Sequence, residues 1–195
     1  MKVYELTRGF AYLRIRHPQM HWYAWTLPIA ATIVVMVALY FLPVFPKILG
    51  SDGALAATLS IVSTLPGFYF AGLAAVATFP GLNMDRAMPS PAPKLAIKVA
   101  GSKADVELSR RQFLSYLFSY LVLLSFILCA AIVSLNAISA SIAHLKISVL
   151  GWENGANDWF WFKFSIVSVI MWLVANIITA TLQGIFFLSE RIHQP

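Results

Sequence analysis

Few residues in this sequence have the types and spacing that chemistry needs, and all of them lie outside its apolar runs. The histidines His17, His21, His144 and His193 are scattered. His17 and His21 stand four apart, which on a helix would let two imidazoles share a metal, but Pro18 between them weakens that spacing. As lone histidines near the ends of apolar runs, they also read as amphipathic surface residues. Asp85, Asp105, Glu107 and His144 are the groups a lipid-directed enzyme would have to use, and no general base stands beside a nucleophile among them. Paired carboxylates, a nucleotide-binding loop and a Cys-x-x-Cys pair are absent from the sequence. The single cysteine, Cys129, permits no intramolecular disulfide. The sequence therefore leads us to expect no catalytic residue, cofactor, metal ligand or small-molecule substrate.

What the apolar runs do carry is small and neutral-polar. Ser63, Gly67, Ala71 and Ala75 recur every four positions, a ladder that lets another helix approach closely. Ser125, Cys129, Asn136 and Ser139 fall near one face of a later run, with Ser115 and Ser119 toward its start. Ser165, Ser168, Trp172, Asn176, Thr179 and Gln183 follow a near-heptad line in the last run. Two readings stand for these stripes. One is helix packing with interhelical hydrogen bonds worth roughly 1 kcal/mol each. The other is a water-filled path lined by Asn176, Thr179 and Gln183, formed when several copies assemble. No Asp, Glu, Lys or Arg interrupts these runs, so the ionisable midplane group that coupled transporters usually keep is missing.

The elements that hold these residues follow from composition. Hydrophobic residues make up 59% of the 195 and charged residues 11%, against about 25% charged in soluble domains. Four uncharged stretches, Trp22 to Pro46, Gly53 to Met84, Gln112 to Ala143 and Phe164 to Ser189, each exceed the roughly 20 residues that cross a bilayer as a helix. The expected fold is all-α: a polytopic membrane protein of four transmembrane helices, in one membrane domain over 1–195. Gly50, Asp52 and Gly53 predict a tight turn between the first two spans. Pro43 and Pro46 end the first span, and Pro66 beside Gly67 kinks the second.

Orientation follows from basic residues. With a cytoplasmic N-terminus, Lys2, Arg8, Arg14, Arg16, Arg86, Lys94, Lys98, Lys103, Arg110, Arg111 and Arg191 lie inside, and Lys47, Lys146 and Lys163 outside. Both termini are then cytoplasmic. Trp22, Tyr23 and Trp25 would mark the inner membrane edge, and Trp152, Trp159 and Trp161 the outer. No cleavable signal peptide is expected, because no apolar core follows within the first twenty residues.

Within 1–21, Val3, Leu6, Phe10 and Leu13 recur at helical spacing beside Lys2, Arg8, Arg14 and Arg16. This predicts an amphipathic helix that lies in the headgroup zone or packs on the bundle's cytoplasmic end. The cytoplasmic loop 85–111 opens on a stiff run from Met88 to Pro93. Leu95, Ile97 and Val99, a Gly101-Ser102 turn and Val106-Glu107-Leu108 then predict a short β-hairpin. Ser109-Arg110-Arg111-Gln112 fits a capping box that starts the third helix. Lys94, Lys98, Lys103, Arg110 and Arg111 give this face the charge to meet lipid headgroups or an anionic partner such as nucleic acid.

The run from Leu65 to Phe79 (Leu65-Pro66-Gly67-Phe68-Tyr69-Phe70-Ala71-Gly72), the Met-Pro-rich loop after it and Leu108-Ser109-Arg110-Arg111-Gln112-Phe113-Leu114 resemble the small membrane effectors of bacterial retron anti-phage systems. The resemblance covers roughly residues 60 to 125 and supplies no catalytic residues. It implies an inner-membrane toxin that a reverse transcriptase and its RNA–DNA product hold inactive, and that permeabilises the membrane in abortive infection once released. Such effectors are described with two membrane helices, whereas this chain has four apolar stretches. The competing expectation is a non-catalytic structural or assembly subunit of a larger membrane complex. On either reading membrane lipids are partners, and the effector reading adds a homo-oligomer.

Overall fold

The computed structural model describes residues 7–17, 20–43, 46–50, 52–78, 84–86, 88, 92–99, 102–138, 141 and 156–191. The chain is mostly helical, with one small two-stranded sheet. A 3-10 helix at Thr7–Arg14 is followed by α1 (Trp22–Tyr40), α2 (Ala54–Val62), α3 (Leu65–Thr78), β1 (Lys94–Val99), β2 (Ser102–Glu107), α4 (Arg110–Ala137) and α5 (Ala156–Phe186). Trp22–Tyr40, Ala54–Thr78, Arg110–Ala137 and Phe160–Ser189 are long and apolar enough to cross a membrane.

Proline chemistry sets several of the breaks. Pro28 cannot donate to the carbonyl of Ala24, and the first turn of α1, Trp22–Thr26, is wound as a π-helix whose Leu27 amide reaches back to Trp22. The α1 helix ends at Tyr40, three residues before Pro43, rather than running to Pro46. In the second stretch the helix breaks between Val62 and Leu65, as Pro66 predicts. Pro66 has no N–H for the carbonyl of Val62, and the thiol of Cys129 on α4 meets that carbonyl at 3.7 Å instead. The fourth helix starts at Ala156, earlier than the expected Phe164, because Lys163 sits within the helix rather than ending it.

α4 is the central element. Leu114, Leu117, Leu121, Leu124 and Leu128 alternate at three and four residues and form a fully interior stripe. Around it pack the 3-10 helix, the bent α2–α3 pair and α5, while α1 packs on the far side of α5. The helices thus form a row, α1, α5, α4, then α2–α3. Close approach of α3 to α4 depends on Gly72, where a Cβ would lie 2.7 Å from the ring of Phe118.

The ends are tied by backbone chemistry. Ser109 caps α4 through a reciprocal box with Gln112, at 3.3 and 3.1 Å. The next free amides of α4 donate to the carbonyls of Arg86 (3.4 Å) and Met84 (2.9 Å). The hairpin pairs Lys94 with Glu107 through Val99 with Ser102, so residues 100 and 101 connect the strands and Ser102 belongs to β2. Arg16 and Lys94 exchange backbone hydrogen bonds at 2.8 and 3.1 Å, which fixes the N-terminal segment to the hairpin. At the opposite end Gly50 turns with φ +98°, and its amide donates to Asn136 Oδ1 at 3.3 Å.

The outer surfaces of the long helices are apolar. Val34 is 68% exposed, Phe68 70% and Ile61 72%, and Phe126, Val169, Ile178 and Ile185 also face outward. A contiguous apolar exterior of this kind marks a surface whose solvent or partner is not water.

Candidate functional site

The site grows from the polar line on α5. Asn176 is 3% exposed. Its Nδ2 donates to the Trp172 carbonyl at 2.9 Å, and its Oδ1 accepts from Tyr120 Oη of α4 at 3.4 Å. Thr181 donates to the carbonyl of Ile177 at 2.7 Å. That leaves Tyr69 of α3 as donor in its 2.7 Å contact with Thr181 Oγ1. Gln183 Oε1 accepts from the hydroxyl of Tyr12, on the 3-10 helix. Three tyrosines from three elements therefore each donate to one polar side chain of the last helix. Thr179 is satisfied within α5, donating to Ala175 O at 2.9 Å.

Aromatic packing holds the tyrosines in place. Tyr12 is 1% exposed and stacks on Tyr120 with ring centroids 4.9 Å apart. Phe10 meets Tyr120 edge-on at 6.3 Å, and Phe113 lies 5.1 Å from Phe187. Burial, and then the neighbouring Tyr120, push the Tyr12 hydroxyl well above its ordinary pKa, so it stays a neutral donor. Gly9 is what lets this segment dock: a Cβ there would collide with the side chain of Leu123 on α4.

Next to Gln183 lies a cavity of about 280 Å³ at the hairpin end of the bundle. Met20, Met88, Phe113 and Phe187 form its interior wall, and His17, Tyr23, Pro93, Leu182 and Phe186 border it as well. His21 is exposed. Among the described residues no group of three or more His, Cys, Asp and Glu side chains converges on a metal position. His144 and His193 fall outside the described residues.

The other sequence-derived candidates separate by location. Ser63, Gly67 and Ala71 are exposed on the outer face of the bent pair, and a Cβ on Gly67 would meet nothing within 4 Å. Ala75 is half-buried, because a four-residue step advances 40° per repeat on a 3.6-residue helix and turns the ladder inward. Ser125 is fully buried and bonds back to Val122 O at 2.9 Å. Ser115 and Ser119 are half-buried. Ser168 and Trp172 border a shallow recess with Thr32, Ile29 and Ile33. Ser165 bonds to Trp161 O at 2.9 Å, and Ser139 lies outside the described residues.

The basic candidates likewise differ in what they bond to. Arg110 is 5% exposed. Arg111 engages both carboxylate oxygens of Asp85, at 2.9 and 3.2 Å, and reaches the Ala77 carbonyl at 3.3 Å. Those two arginines belong to the junction of α3, loop and α4. Lys94 pairs with Glu107 across the hairpin at 3.5 Å, and Arg16 with Asp105 at 3.3 Å. Lys98 and Lys103 face each other in the strand register, and their side chains are outside the described set.

Sequence reasoning missed Tyr12, Tyr69, Tyr120 and Thr181. A usable signal was present: a tyrosine placed mid-run in an apolar helix needs a partner for its hydroxyl. No family model, curated protein or solved structure matches this chain.

Proposed function

We propose that this chain is a multi-pass protein of a bacterial inner membrane, with four transmembrane helices and with both termini and the hairpin in the cytoplasm. We propose further that it is a non-catalytic effector of a retron-type anti-phage system, which permeabilises the membrane in abortive infection when inhibition is lifted. Membrane residence is supported by the apolar exteriors of all four long helices. The orientation is supported by the basic residues at the hairpin end, among them Arg14, Arg16, Arg86 and Lys94, against Lys47 at the other end.

The observation that carries the effector reading is the set of neutral polar side chains on α5, with Asn176 and Gln183 on one line and Thr181 about 140° round the helix from Asn176, each closed by a tyrosine hydroxyl from a separate element. Such a line needs no charge to hold water once parted, and hydrogen bonds of this strength part at modest cost. In the dormant state the tyrosines occupy it. On release α5 separates from the α3–α4 side, Asn176, Thr179 and Gln183 meet water, and several copies assemble around the path. The hairpin lysines Lys94, Lys98 and Lys103 offer the contact for an anionic inhibitor such as a reverse transcriptase with its RNA–DNA product.

The test is induced expression with neighbouring genes removed, followed by a membrane-potential dye and growth. Depolarisation and growth arrest are expected; unchanged potential and growth would overturn the effector reading.

The outward ladder of Ser63, Gly67 and Ala71 favours a second reading, a constitutive assembly subunit whose bent pair docks against another membrane helix. Purification of a stoichiometric complex without toxicity would select it.

A further inference from the structure

We propose that the cavity beside Gln183 binds the upper part of one phospholipid acyl chain, with the Gln183 carboxamide donating to the ester carbonyl. This rests on the membrane residence proposed above.

Three observations lead to that ligand class. The first is the unequal bonding of Gln183. Its Oε1 is taken by Tyr12, while its Nε2 meets the thioether sulfur of Met20 at 3.6 Å. A thioether is a weak acceptor. Among the described residues no oxygen accepts from that nitrogen, and Gln183 lines a cavity. A carbonyl oxygen entering the cavity supplies the stronger acceptor.

The second is the wall. Met20, Met88, Phe113 and Phe187 are all buried and apolar, and two of the four are thioethers, which adapt to a flexible chain. No lysine or arginine lines the cavity. A phosphate or a free carboxylate would enter without a permanent cation to meet it, at a large desolvation cost. A neutral ester followed by methylenes matches both the single amide donor and the apolar wall.

The third is the mouth. Leu182 and Phe186 border the cavity, yet they are 59% and 50% exposed on the outer face of α5. The opening therefore faces the side on which α5 meets the hydrocarbon. It lies near the C-terminal end of the span and beside Tyr23 of the aromatic belt, the depth at which ester groups sit. At about 280 Å³ the cavity is at the lower limit of small-ligand sites. It takes part of an amphiphile, with the remainder left in the bilayer.

The occupant touches the residue that closes the polar line. An ester held by Nε2 fixes the orientation of Gln183 with Oε1 toward Tyr12, so a bound lipid supports the closed arrangement.

The experiment uses the full-length protein in vesicles of zwitterionic and anionic diester phospholipids. A tracer phospholipid carries a photoreactive diazirine near the ester end of one chain, and labelled peptides are mapped by mass spectrometry. Enrichment on the peptides containing Met20, Met88 and Phe187 is expected, above that on outward residues such as Val34 and Val169. An ether-linked tracer, which lacks the carbonyl, should label the cavity about fivefold less, the ratio that one neutral hydrogen bond supports. Gln183→Leu should remove the ester preference, and Met88→Trp should remove the cavity label itself. Equal ester and ether labelling of wild-type protein overturns ester recognition without needing either variant. Displacement by oleate in preference to diester lipid overturns the ligand class. Label on Val34 and Val169 without enrichment in the cavity overturns the site but leaves membrane residence standing. No label on any outward face removes the membrane reading and this proposal with it.

Discussion

Replacing Tyr12 and Tyr69 together by phenylalanine removes two hydroxyls and almost nothing else. The Tyr12 ring keeps its 4.9 Å stack on Tyr120, and Tyr69 keeps its place on the inner face of α3. What is lost is the donor to Gln183 and the donor to Thr181. Interhelical hydrogen bonds in membranes average about 0.6 kcal/mol, and neutral bonds in proteins about 1 kcal/mol. Two lost links therefore weaken the closed arrangement by about 1.2–2 kcal/mol, which is roughly an 8- to 30-fold shift toward an open one. The orphaned Gln183 oxygen adds to this, since a buried acceptor without a donor is itself costly. The assay is a membrane-potential dye on cells that carry equal membrane levels of each variant. The tyrosine pair should depolarise at lower induction than wild type. Asn176→Leu with Gln183→Leu also breaks two tyrosine links, but it removes the amides that water would follow, so depolarisation should fall below wild type at every induction level. If the tyrosine pair matches or falls below wild type while the amide pair is unaltered, the polar line is packing alone and the latent-path argument fails.

Gly9→Val should release the N-terminal segment by driving a side chain into Leu123, and Leu123→Ala should restore docking; limited proteolysis near residue 14 reads both. In a double-mutant cycle, Cys129→Ala should cost under about 1 kcal/mol in wild type and nothing in a Pro66→Ala background, where the Val62 carbonyl regains its own amide; thermal unfolding in detergent measures the difference. Because the Tyr12 pKa is raised in the folded protein from an ordinary 10.0, its contribution is fully present below pH 10 and is lost as pH rises through the folded value. Unfolding monitored against pH should show a loss above pH 10 in wild type that is reduced in Tyr12→Phe.

The parts of this fold that were legible are those set by local chemistry. A charge-free length announces a helix, Ser109 and Gln112 announce a cap, Pro66 a break, and alternation from Leu95 to Val99 a strand. The tyrosine links to α5 span 56, 112 and 171 residues. Periodicity shows which face of α5 carries Asn176 and Gln183, but it holds no information on which helix arrives opposite. Composition also concealed the donors, since tyrosine reads as an aromatic filler in an apolar run. For residues 7–14, an apolar stripe does not distinguish a lipid interface from a groove on a neighbouring helix, and here the groove is on α4. The basic face was legible as charge and not as geometry: Arg110 is interior and Arg111 is committed to Asp85, so two of five expected contacts serve the fold.

The row arrangement decides where any path would run. Because α1 lies on the far side of α5, the four long helices of one copy do not have to part together. Only the seam between α5 and the α3–α4 side must open, while α1 stays on α5, held by contacts such as Trp25 against Trp172 at 6.3 Å. The bent pair sits at the edge of that row with two working faces. Its inner face carries Tyr69 to the seam, and its outer face carries Ser63, Gly67 and Ala71. On the proposed effector reading, a neighbouring copy docked on the outer face would pull on the element whose inner face keeps the seam closed. On that reading, oligomerisation and opening would be one equilibrium rather than two. A change such as Gly67→Ala, whose Cβ meets nothing within 4 Å in the monomer but widens the outer face, should weaken depolarisation on the proposed effector reading.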